Sequence, residues 1–201
     1  MPLAPISKTI LYICDVQVRL LPSIANKEGL LAALSMATAG ARALGLPIII
    51  SEQYPKGLGP THPELLDTSS TPIVFEKTYF SAADPEAPQG QRLSDISQVA
   101  DRGPDAQILV AGIESHICVR ATVTDLLTQG YKVVVLADAV SSRFGSDRSI
   151  ALSSMQAEGA IISTVESVLY QLARSKGHAA FKPLSALAKG RTSDGWPGTV
   201  Y

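Results

Sequence analysis

The amino-acid sequence predicts an α/β fold: a three-layer α/β/α sandwich with a six-stranded, mostly parallel sheet. Short apolar segments of strand length alternate along the chain with segments that repeat apolar residues at helical spacing. Segments 108–110 and 133–136 are apolar without interruption, as expected for strands covered by helices on both faces. The 201 residues, of which 46% are hydrophobic, supply enough apolar material for one large domain.

The predicted strands are short apolar runs bounded by turn residues. Gly45 and Pro47 separate the first helix from the second strand, and the segment 101–105 predicts a turn before the fourth strand. In chain order the predicted strands are Thr9–Cys14, Pro47–Ser51, Ile73–Glu76, Gln107–Ala111, Lys132–Ala137 and Ala160–Thr164.

The predicted helices lie between these strands or after the last one, and each repeats apolar residues three or four positions apart. Gly130 ends the helix that follows the fourth strand. Segment 52–72 is polar and rich in Pro and Gly, which predicts a long loop of functional importance. In chain order the predicted helices are Gly29–Leu44, Arg92–Asp101, Ile117–Gln129, Arg148–Glu158 and Val165–Arg174.

The composition favours one domain over residues 1–190, followed by an irregular tail over residues 191–201 that contains Trp196 and Tyr201. A net charge of −1 without a basic stripe argues against nucleic acid as a partner. No apolar run approaches the roughly 20 residues that a membrane span needs, and the first residues do not resemble a signal peptide. Two cysteines are too few for a disulfide framework, so a cytoplasmic protein is expected, with an organelle as the alternative.

Cys118 is a candidate nucleophile because it lies where a buried strand is followed by a helix. The apolar run ends at Gly112, Ser115 is placed to cap the helix, and an apolar helical pattern follows. A thiol in the first turn of a helix faces unpaired backbone N–H groups, which favour the thiolate. A sharp strand-to-helix turn also exposes a nucleophile at the edge of a sheet. The alternative is a structural cysteine that fills apolar space.

Asp15 and Lys77 also stand at the ends of predicted strands, and the carboxyl ends of parallel strands meet at one edge of a sheet. Taken alone, Asp15 is equally well explained as a helix or turn cap, and a lone lysine such as Lys77 is more often a solvated charge. Together with Cys118 they bring a carboxylate, an ammonium and a thiol to one edge. The carboxylate can take the thiol proton, and the ammonium stabilises both anions. This set predicts addition to a carbonyl or carbon–nitrogen bond without a metal or an organic cofactor.

These residues, in this order, resemble the isochorismatase-like cysteine hydrolase superfamily, which includes nicotinamidases, carbamoylsarcosine hydrolases and isochorismatases. The shared features are Asp15 after the first strand, Lys77 at the end of a later strand, and a Gly-x-x-Ser/Thr-x-x-Cys-Val pattern at Gly112–Val119. Ser115 stands where Thr is more usual in that pattern. The similarity extends over about residues 9–172.

The resemblance implies that Asp15 is the general base, Lys77 its electrostatic partner and Cys118 the nucleophile. It also implies a cis peptide bond between Ile113 and Glu114, with the backbone amides of Glu114 and Cys118 forming an oxyanion hole. The implied activity is hydrolysis of a small amide, imidate or vinyl-ether-type substrate. The alternative is a non-catalytic interaction or scaffold protein that retains the fold.

One motif departs from the nicotinamidases, which carry an Asp-x-His metal motif where this sequence has 52–54 (Glu-Gln-Tyr), so no metal is expected. Segments 51–60 and 138–143 instead resemble the isochorismatase domain-containing subgroup. The resemblance also suggests a homo-oligomer, because relatives commonly assemble through helices that flank the sheet. An ordinary structural role stays open for each candidate substrate-binding residue; these are Gln53, Tyr54, Phe80 and His116.

Alternation along the strands predicts the orientation of two further residues. Glu76 immediately precedes Lys77, so its side chain is expected on the opposite face of the sheet. Cys14 immediately precedes Asp15 and is expected to point away from the site, which argues against a disulfide with Cys118.

Overall fold

The computed structural model describes residues 2–66, 72–103 and 105–190. These residues form an open six-stranded sheet in the order β3-β2-β1-β4-β5-β6, and every neighbouring pair of strands is parallel. The predicted sheet is confirmed and is parallel throughout. The strands are β1 (Thr9–Cys14), β2 (Ile48–Gln53), β3 (Ile73–Lys77), β4 (Gln107–Ile113), β5 (Lys132–Ser141) and β6 (Ile161–Ser163).

Helices cover both faces of the sheet, which confirms the three-layer sandwich. One layer contains α1, α6 and α7, which contact one another, and the opposite layer contains α4 and α5. No helix among the described residues is long and apolar enough to cross a bilayer. The helices are α1 (Lys27–Leu44), α2 (Pro55–Leu58), α3 (Ser97–Ala100), α4 (Arg120–Thr128), α5 (Gly145–Ala157), α6 (Val165–Ala173) and α7 (Phe181–Lys189).

Strand β1 is buried along its whole length and divides its side chains between two hydrophobic cores. Leu11 and Ile13 pack in the core beneath α1 and α6, whereas Tyr12 and Cys14 pack in the core beneath α4 and α5. Full burial of an aliphatic side chain contributes about 1.5–3 kcal/mol, so both cores hold the central strand firmly in place. The alternation also decides which residues of β1 face the layer that carries Cys118.

Two helix predictions need correction. The predicted helix Arg92–Asp101 is wrong: a 3₁₀ turn at Leu93–Asp95 and the single turn of α3 replace it. The Asp95 carboxylate accepts hydrogen bonds from the Gly90 amide and the Arg92 guanidinium, and such local bonds compete with a continuous helix. Helix α7 was not predicted; Pro183 lies inside it and is tolerated because it occupies the first helical turn.

Strand β5 extends beyond its predicted end and bulges opposite β4. Two steps along β4, from Val110 to Gly112, correspond to five along β5, from Val135 to Val140. The buried Arg148 of α5 donates hydrogen bonds to the carbonyl oxygens of Val140 (3.0 Å) and of Ala137. Burial lowers the pKa of Arg148 to about 10, although nearby Asp138 opposes the change. An unpredicted buried cation therefore holds the bulge beside the end of β4.

Candidate active site

A buried ion pair joins Asp15 and Lys77 at the carboxyl edge of the sheet. Asp15 directly follows β1 with a φ of 49°, in the left-handed region that L-residues seldom adopt, and Lys77 is the last residue of β3. Lys77 Nζ lies 2.7 Å from Asp15 Oδ2, and both side chains are excluded from solvent. Because β2 separates β1 from β3, the long Lys77 side chain reaches across the end of β2. The predicted carboxylate and ammonium do meet.

Lys77 Nζ has three further acceptors around it. It donates to Gln53 Oε1 at 2.7 Å, to the Phe80 carbonyl at 2.9 Å and to the Tyr79 carbonyl at 3.2 Å. Burial lowers the pKa of Lys77, but nearby Cys14, Asp15 and Cys118 outweigh this effect and raise it above its ordinary value. The ammonium is thus a fixed positive charge with its protons committed.

Two residues that sequence analysis missed lie on the other side of the Asp15 carboxylate. Ser51 Oγ donates to Asp15 Oδ1 at 2.6 Å, and the Tyr12 hydroxyl lies 2.7 Å from Ser51 Oγ. All three residues are completely buried. Burial, together with the negative charge of Cys14 and Asp15, raises the pKa of Tyr12 well above its ordinary value. The only sequence signal for them is a hydroxyl group within or directly after a run of apolar residues.

Cys118 lies in a π-helical turn, Ser115–Val119, that connects β4 to α4. Its side chain is 8% exposed, so the thiol lies just beneath the surface. Thr122 Oγ1 donates to the Cys118 carbonyl at 2.7 Å and accepts from the Ala82 amide at 2.9 Å. That hydroxyl fastens the turn after β4 to the segment after β3, and therefore joins the two parts of the candidate site.

Gly112 permits the close approach of β4 to β1 beneath this turn. Its φ is 110°, and it pairs with Cys14 of β1. A Cβ atom on Gly112 would lie 2.2 Å from the Cys14 carbonyl oxygen and 2.5 Å from its amide nitrogen. Only glycine fits at this position, which explains the glycine three residues before Ser115 in the motif.

The prediction that Cys14 points away from the site is wrong. Both cysteines are free and buried, and both belong to the core between the sheet and helices α4 and α5. Burial raises the pKa of Cys14 well above its ordinary value, and a hydrogen bond to the Cys118 side chain raises it further. Alternation failed because Asp15 lies beyond the end of β1, where its positive φ turns the chain.

The residues just before Cys118 form the wall of the site on the side of β5. The peptide bond between Ile113 and Glu114 is cis. The Glu114 carbonyl accepts from the amides of Ile117 (3.1 Å) and Val119 (3.2 Å), which closes the turn around the thiol. The expected capping role of Ser115 is wrong, because its buried hydroxyl has no hydrogen-bond partner among the described residues.

His116 faces β5 and α5. Its Nδ1 atom lies 3.0 Å from Ser142 Oγ and 4.0 Å from Glu114 Oε2, and its Nε2 atom lies 3.9 Å from Asp147 Oδ2. The Glu114 carboxylate also accepts from the Arg143 amide at 2.8 Å. The imidazole, whose side chain is 33% exposed, therefore lies among polar groups at the rim of the site.

The other three predicted substrate-binding residues contact Lys77. Gln53 binds the ammonium through its side chain, Phe80 through its carbonyl, and Tyr54 donates its amide to the Lys77 carbonyl at 2.9 Å. The aromatic side chains of Tyr54 and Phe80 are 56% and 63% exposed. Phe80 lines an open groove of about 570 Å³ together with Asp84 of the same loop. Glu76 is exposed, as alternation along β3 predicts.

The residues at the position of the nicotinamidase metal motif have other partners. Glu52 Oε1 accepts from the Thr61 amide at 2.6 Å and from its hydroxyl at 2.7 Å, and Gln53 binds Lys77. Among residues 2–66, 72–103 and 105–190, no three His, Cys, Asp or Glu side chains form a group that could hold a metal ion. The predicted tail residues Trp196 and Tyr201 lie outside the described residues.

Comparison with known proteins identifies the family. The model of the isochorismatase domain matches residues 9–167. The chain belongs to the isochorismatase family. It is 39% identical over 181 residues to isochorismatase domain-containing protein 1 of Salmo salar, an alignment that covers 90% of this chain and 61% of the relative. The chain thus spans less than two thirds of the length of that relative.

Solved structures of the isochorismatase fold agree. The MAR1 ribonuclease of Caenorhabditis elegans superposes with a TM-score of 0.84 at 32% identity, over 99% of both chains. An octameric hydrolase of unknown specificity from Escherichia coli superposes with a TM-score of 0.79 at 21% identity, over 92% of this chain and 89% of the other. At 21% identity the bacterial protein shows only a shared fold. The sequence relationship rests on the proteins of Salmo salar and Caenorhabditis elegans.

Proposed function

We propose that this member of the isochorismatase family is a metal-independent cysteine hydrolase, with Cys118 as nucleophile, Asp15 as general base and Lys77 as a fixed positive charge. Its substrate is a small amide, imidate or vinyl-ether-type molecule. The observation that carries the proposal is the buried Asp15–Lys77 pair, 2.7 Å apart, at the edge of the sheet where β4 leads into the turn that holds Cys118. The desolvation of two buried charges is costly, and buried ionisable groups of this kind cluster at functional sites.

For an amide, Asp15 accepts the thiol proton while Cys118 Sγ forms a bond to the carbonyl carbon and the carbonyl π electrons move to oxygen. The backbone amides of Glu114 and Cys118 stabilise this oxyanion. The tetrahedral adduct then expels the amine, which takes the proton held by Asp15 and leaves a thioester. Water, deprotonated by Asp15, attacks the thioester, and the departing thiolate recovers that proton. The sum is amide plus water to carboxylic acid plus amine.

Lys77 has a supporting role in these steps. Its protons are committed to Asp15, Gln53 and two carbonyl oxygens, so the ammonium contributes electrostatically and is not a proton donor. A fixed cation of this kind favours both the carboxylate and the thiolate without reorganising during the reaction.

RNA hydrolysis is the competing activity, because the similar Caenorhabditis elegans protein is named a ribonuclease. The net charge of −1 gives this chain no overall attraction to a phosphate backbone. Incubation with labelled single-stranded RNA at low salt tests this activity directly. RNA cleavage by the Cys118→Ala variant would contradict the assignment of Cys118 as the nucleophile.

A homo-oligomer is also part of the proposal, since a protein of the same fold is octameric. Light scattering coupled to size-exclusion chromatography measures the assembly, and elution at the mass of one chain, 21.2 kDa, would refute it. The proposal further assigns residues 1–190 to the hydrolase domain.

Selective alkylation tests the nucleophile without knowledge of the substrate. Iodoacetamide at about pH 7, below the usual range for a free thiol, should modify Cys118 at least tenfold faster than Cys14, as read by intact mass and peptide mapping. Replacement of Cys118 by Ala should abolish the adduct and all turnover while the fold is retained. Equal reactivity of the two thiols would favour the scaffold alternative.

The same mass measurement can find the substrate. A panel of small amides, imidates and vinyl ethers is incubated with the protein, and covalent adducts are mapped to Cys118. An adduct that forms and then disappears as product accumulates supports the thioester route. Turnover of a panel member by the Cys118→Ala variant would refute it.

A further inference from the structure

We propose that Ser51 and Tyr12 are positioning residues for Asp15: through a chain of two buried hydrogen bonds they hold the carboxylate in the orientation from which it accepts the Cys118 proton. The inference rests on the proposed function and adds two residues to it. Neither residue belongs to the Cys-Asp-Lys set, and neither was singled out by its sequence pattern.

The direction of the two hydrogen bonds follows from the donors available. An ionised carboxylate can only accept, so Ser51 must give its single hydroxyl proton to Asp15 Oδ1, 2.6 Å away. Ser51 Oγ then has only lone pairs to offer Tyr12, 2.7 Å away, and the Tyr12 hydroxyl must be the donor. The chain therefore runs in one direction, from Tyr12 through Ser51 to Asp15.

Tyr12 is suited to remain a donor. It is completely buried in the core, and burial together with neighbouring negative charge raises its pKa well above the ordinary value. The phenol therefore keeps its proton over the whole range in which an enzyme works. A hydrogen bond received by Ser51 polarises its own O–H group and strengthens the bond to the carboxylate.

The two ends of the carboxylate have different partners, which fixes its rotation. Ser51 holds Oδ1, and Lys77 holds Oδ2 at 2.7 Å. A carboxylate offers about four lone-pair sites, so these two bonds leave sites for the thiol proton. With the Ser51 bond removed, Lys77 alone would not prevent the carboxylate from turning. Asp15 already lies outside a regular strand, with a φ of 49°, so its neighbours must define its position.

The test measures the rate at which iodoacetamide alkylates Cys118, from about pH 6 to about pH 10, in Ser51→Ala, Tyr12→Phe and wild-type protein. At about pH 6.5, Ser51→Ala should be slowed about tenfold, because it loses a hydrogen bond to a charged group, and Tyr12→Phe about threefold. At the alkaline end of the range all three rates should converge, because hydroxide then removes the thiol proton and the Asp15 carboxylate is no longer needed. A variant that merely loosens the fold would differ from wild type at every pH.

Two further variants serve as controls. Ser51→Thr retains the hydroxyl and should restore the rate to within about twofold of wild type. Thr9→Val removes a buried hydroxyl, bonded to the Pro5 carbonyl at 2.9 Å, from the opposite end of β1 and should leave the profile unchanged. Thermal melts monitored by circular dichroism establish that each variant is folded. Tyr12→Phe removes a single oxygen atom, so the test does not depend on Ser51 variants alone.

The outcomes separate this inference from the proposed function. If Asp15→Asn slows alkylation and Ser51→Ala does not, the positioning role is refuted while the hydrolase proposal stands. A Ser51→Ala rate reduced by the same factor at every pH also refutes it. If Cys118 is alkylated no faster in the wild-type protein than in the Asp15→Asn variant, Asp15 is not the general base. The positioning role of Ser51 and Tyr12 is then refuted as well.

Discussion

The two sides of the candidate site are held in opposite ways. On the side of β1, β2 and β3, here called the charge side (Asp15, Ser51, Gln53 and Lys77), side chains bind side chains and the ion pair is sealed from solvent. On the side of β4 and β5, here called the thiol side (Glu114, His116 and Cys118), backbone contacts shape the turn, His116 is partly exposed and the Cys118 thiol lies just beneath the surface.

The difference follows from what each side must do. Two buried charges are tolerated only when they are paired with each other and with further hydrogen-bonding groups, so the charge side requires side-chain partners. A nucleophile must meet a substrate, so the turn on the thiol side is best positioned by contacts of its backbone. Variants on the two sides should therefore differ in the size of their effects.

Breaking the sealed pair should cost far more than breaking an exposed one. Lys77→Met leaves the Asp15 carboxylate buried without its cation, and we expect a loss of about 3–5 kcal/mol in the free energy of unfolding. The control is Arg120→Met, which breaks an exposed pair with Glu158 and should cost less than about 1 kcal/mol. Urea denaturation measures both. Similar losses for the two variants would mean that the charge side is not sealed.

The backbone of the thiol side should be most sensitive at Gly112. An alanine there combines a φ of 110° with a clash against Cys14 backbone atoms, and we expect a loss of about 3 kcal/mol. Gly130→Ala is the matched control, because Gly130 also has a positive φ, 86°, but a Cβ atom there would meet open space. This variant should lose about 1–2 kcal/mol in the free energy of unfolding. Equal losses in urea denaturation would show that the close approach of β4 to β1 is unimportant.

Cys14 lies where the two sides meet, and it should make the protein sensitive to alkali. Its pKa is raised from 9.0 by burial and by the hydrogen bond to Cys118, so the folded protein keeps a proton that the unfolded chain releases above about pH 9. Stability contributed in this way is complete below pH 9.0 and is lost as the pH rises, at about 1.4 kcal/mol per pH unit.

Tyr12 and Lys77 act in the same direction, because their pKa values are raised from 10.0 and 10.5. In Cys14→Ala, the loss of stability should therefore begin about one pH unit higher than in wild type. Urea denaturation between about pH 8 and pH 11 measures the onset. An onset identical to that of wild type would contradict the buried position of this thiol.

His116 should matter least for stability, because its side chain is partly exposed at the rim of the thiol side and has a single hydrogen bond, to Ser142. We expect His116→Gln to cost about 0.5–1 kcal/mol in urea denaturation and to change the alkylation rate of Cys118 less than twofold. A tenfold slower alkylation would assign the imidazole to the proton transfer instead.

Much of the fold could be predicted from the sequence, because buried parallel strands are uninterrupted apolar runs and carry residues of unlike chemistry at their ends. All six strands were found: β1 has its predicted bounds, and no end of another strand moved by more than four residues. The helix at Arg92–Asp101 failed because local side-chain bonds of Asp95 compete with helix formation. Helix α7 was missed because a proline is tolerated only when it falls in the first turn, which the pattern alone does not reveal.

The charged residues of the candidate site were predicted from the sequence, but the buried hydroxyl residues that bind Asp15 were not. Ser51 and Tyr12 stand in strands where a hydroxyl is easily taken for a minor interruption, and their role depends on β1 lying beside β2. Cys14 was assigned to the wrong side because alternation was extended past the end of a strand. Both errors concern the direction in which a side chain points, which depends on contacts between segments far apart in the chain.

The sequence alone determined that a carboxylate, an ammonium and a thiol stand at the ends of parallel strands, because strand length, apolar content and the residue that follows are local properties. Only the tertiary structure decided which atoms meet: Lys77 crosses the end of β2 to reach one oxygen of Asp15, and Ser51 takes the other. The physical reason is that hydrogen bonds depend on tenths of an ångström. Such distances are fixed by strand order, backbone dihedrals and packing of the whole domain.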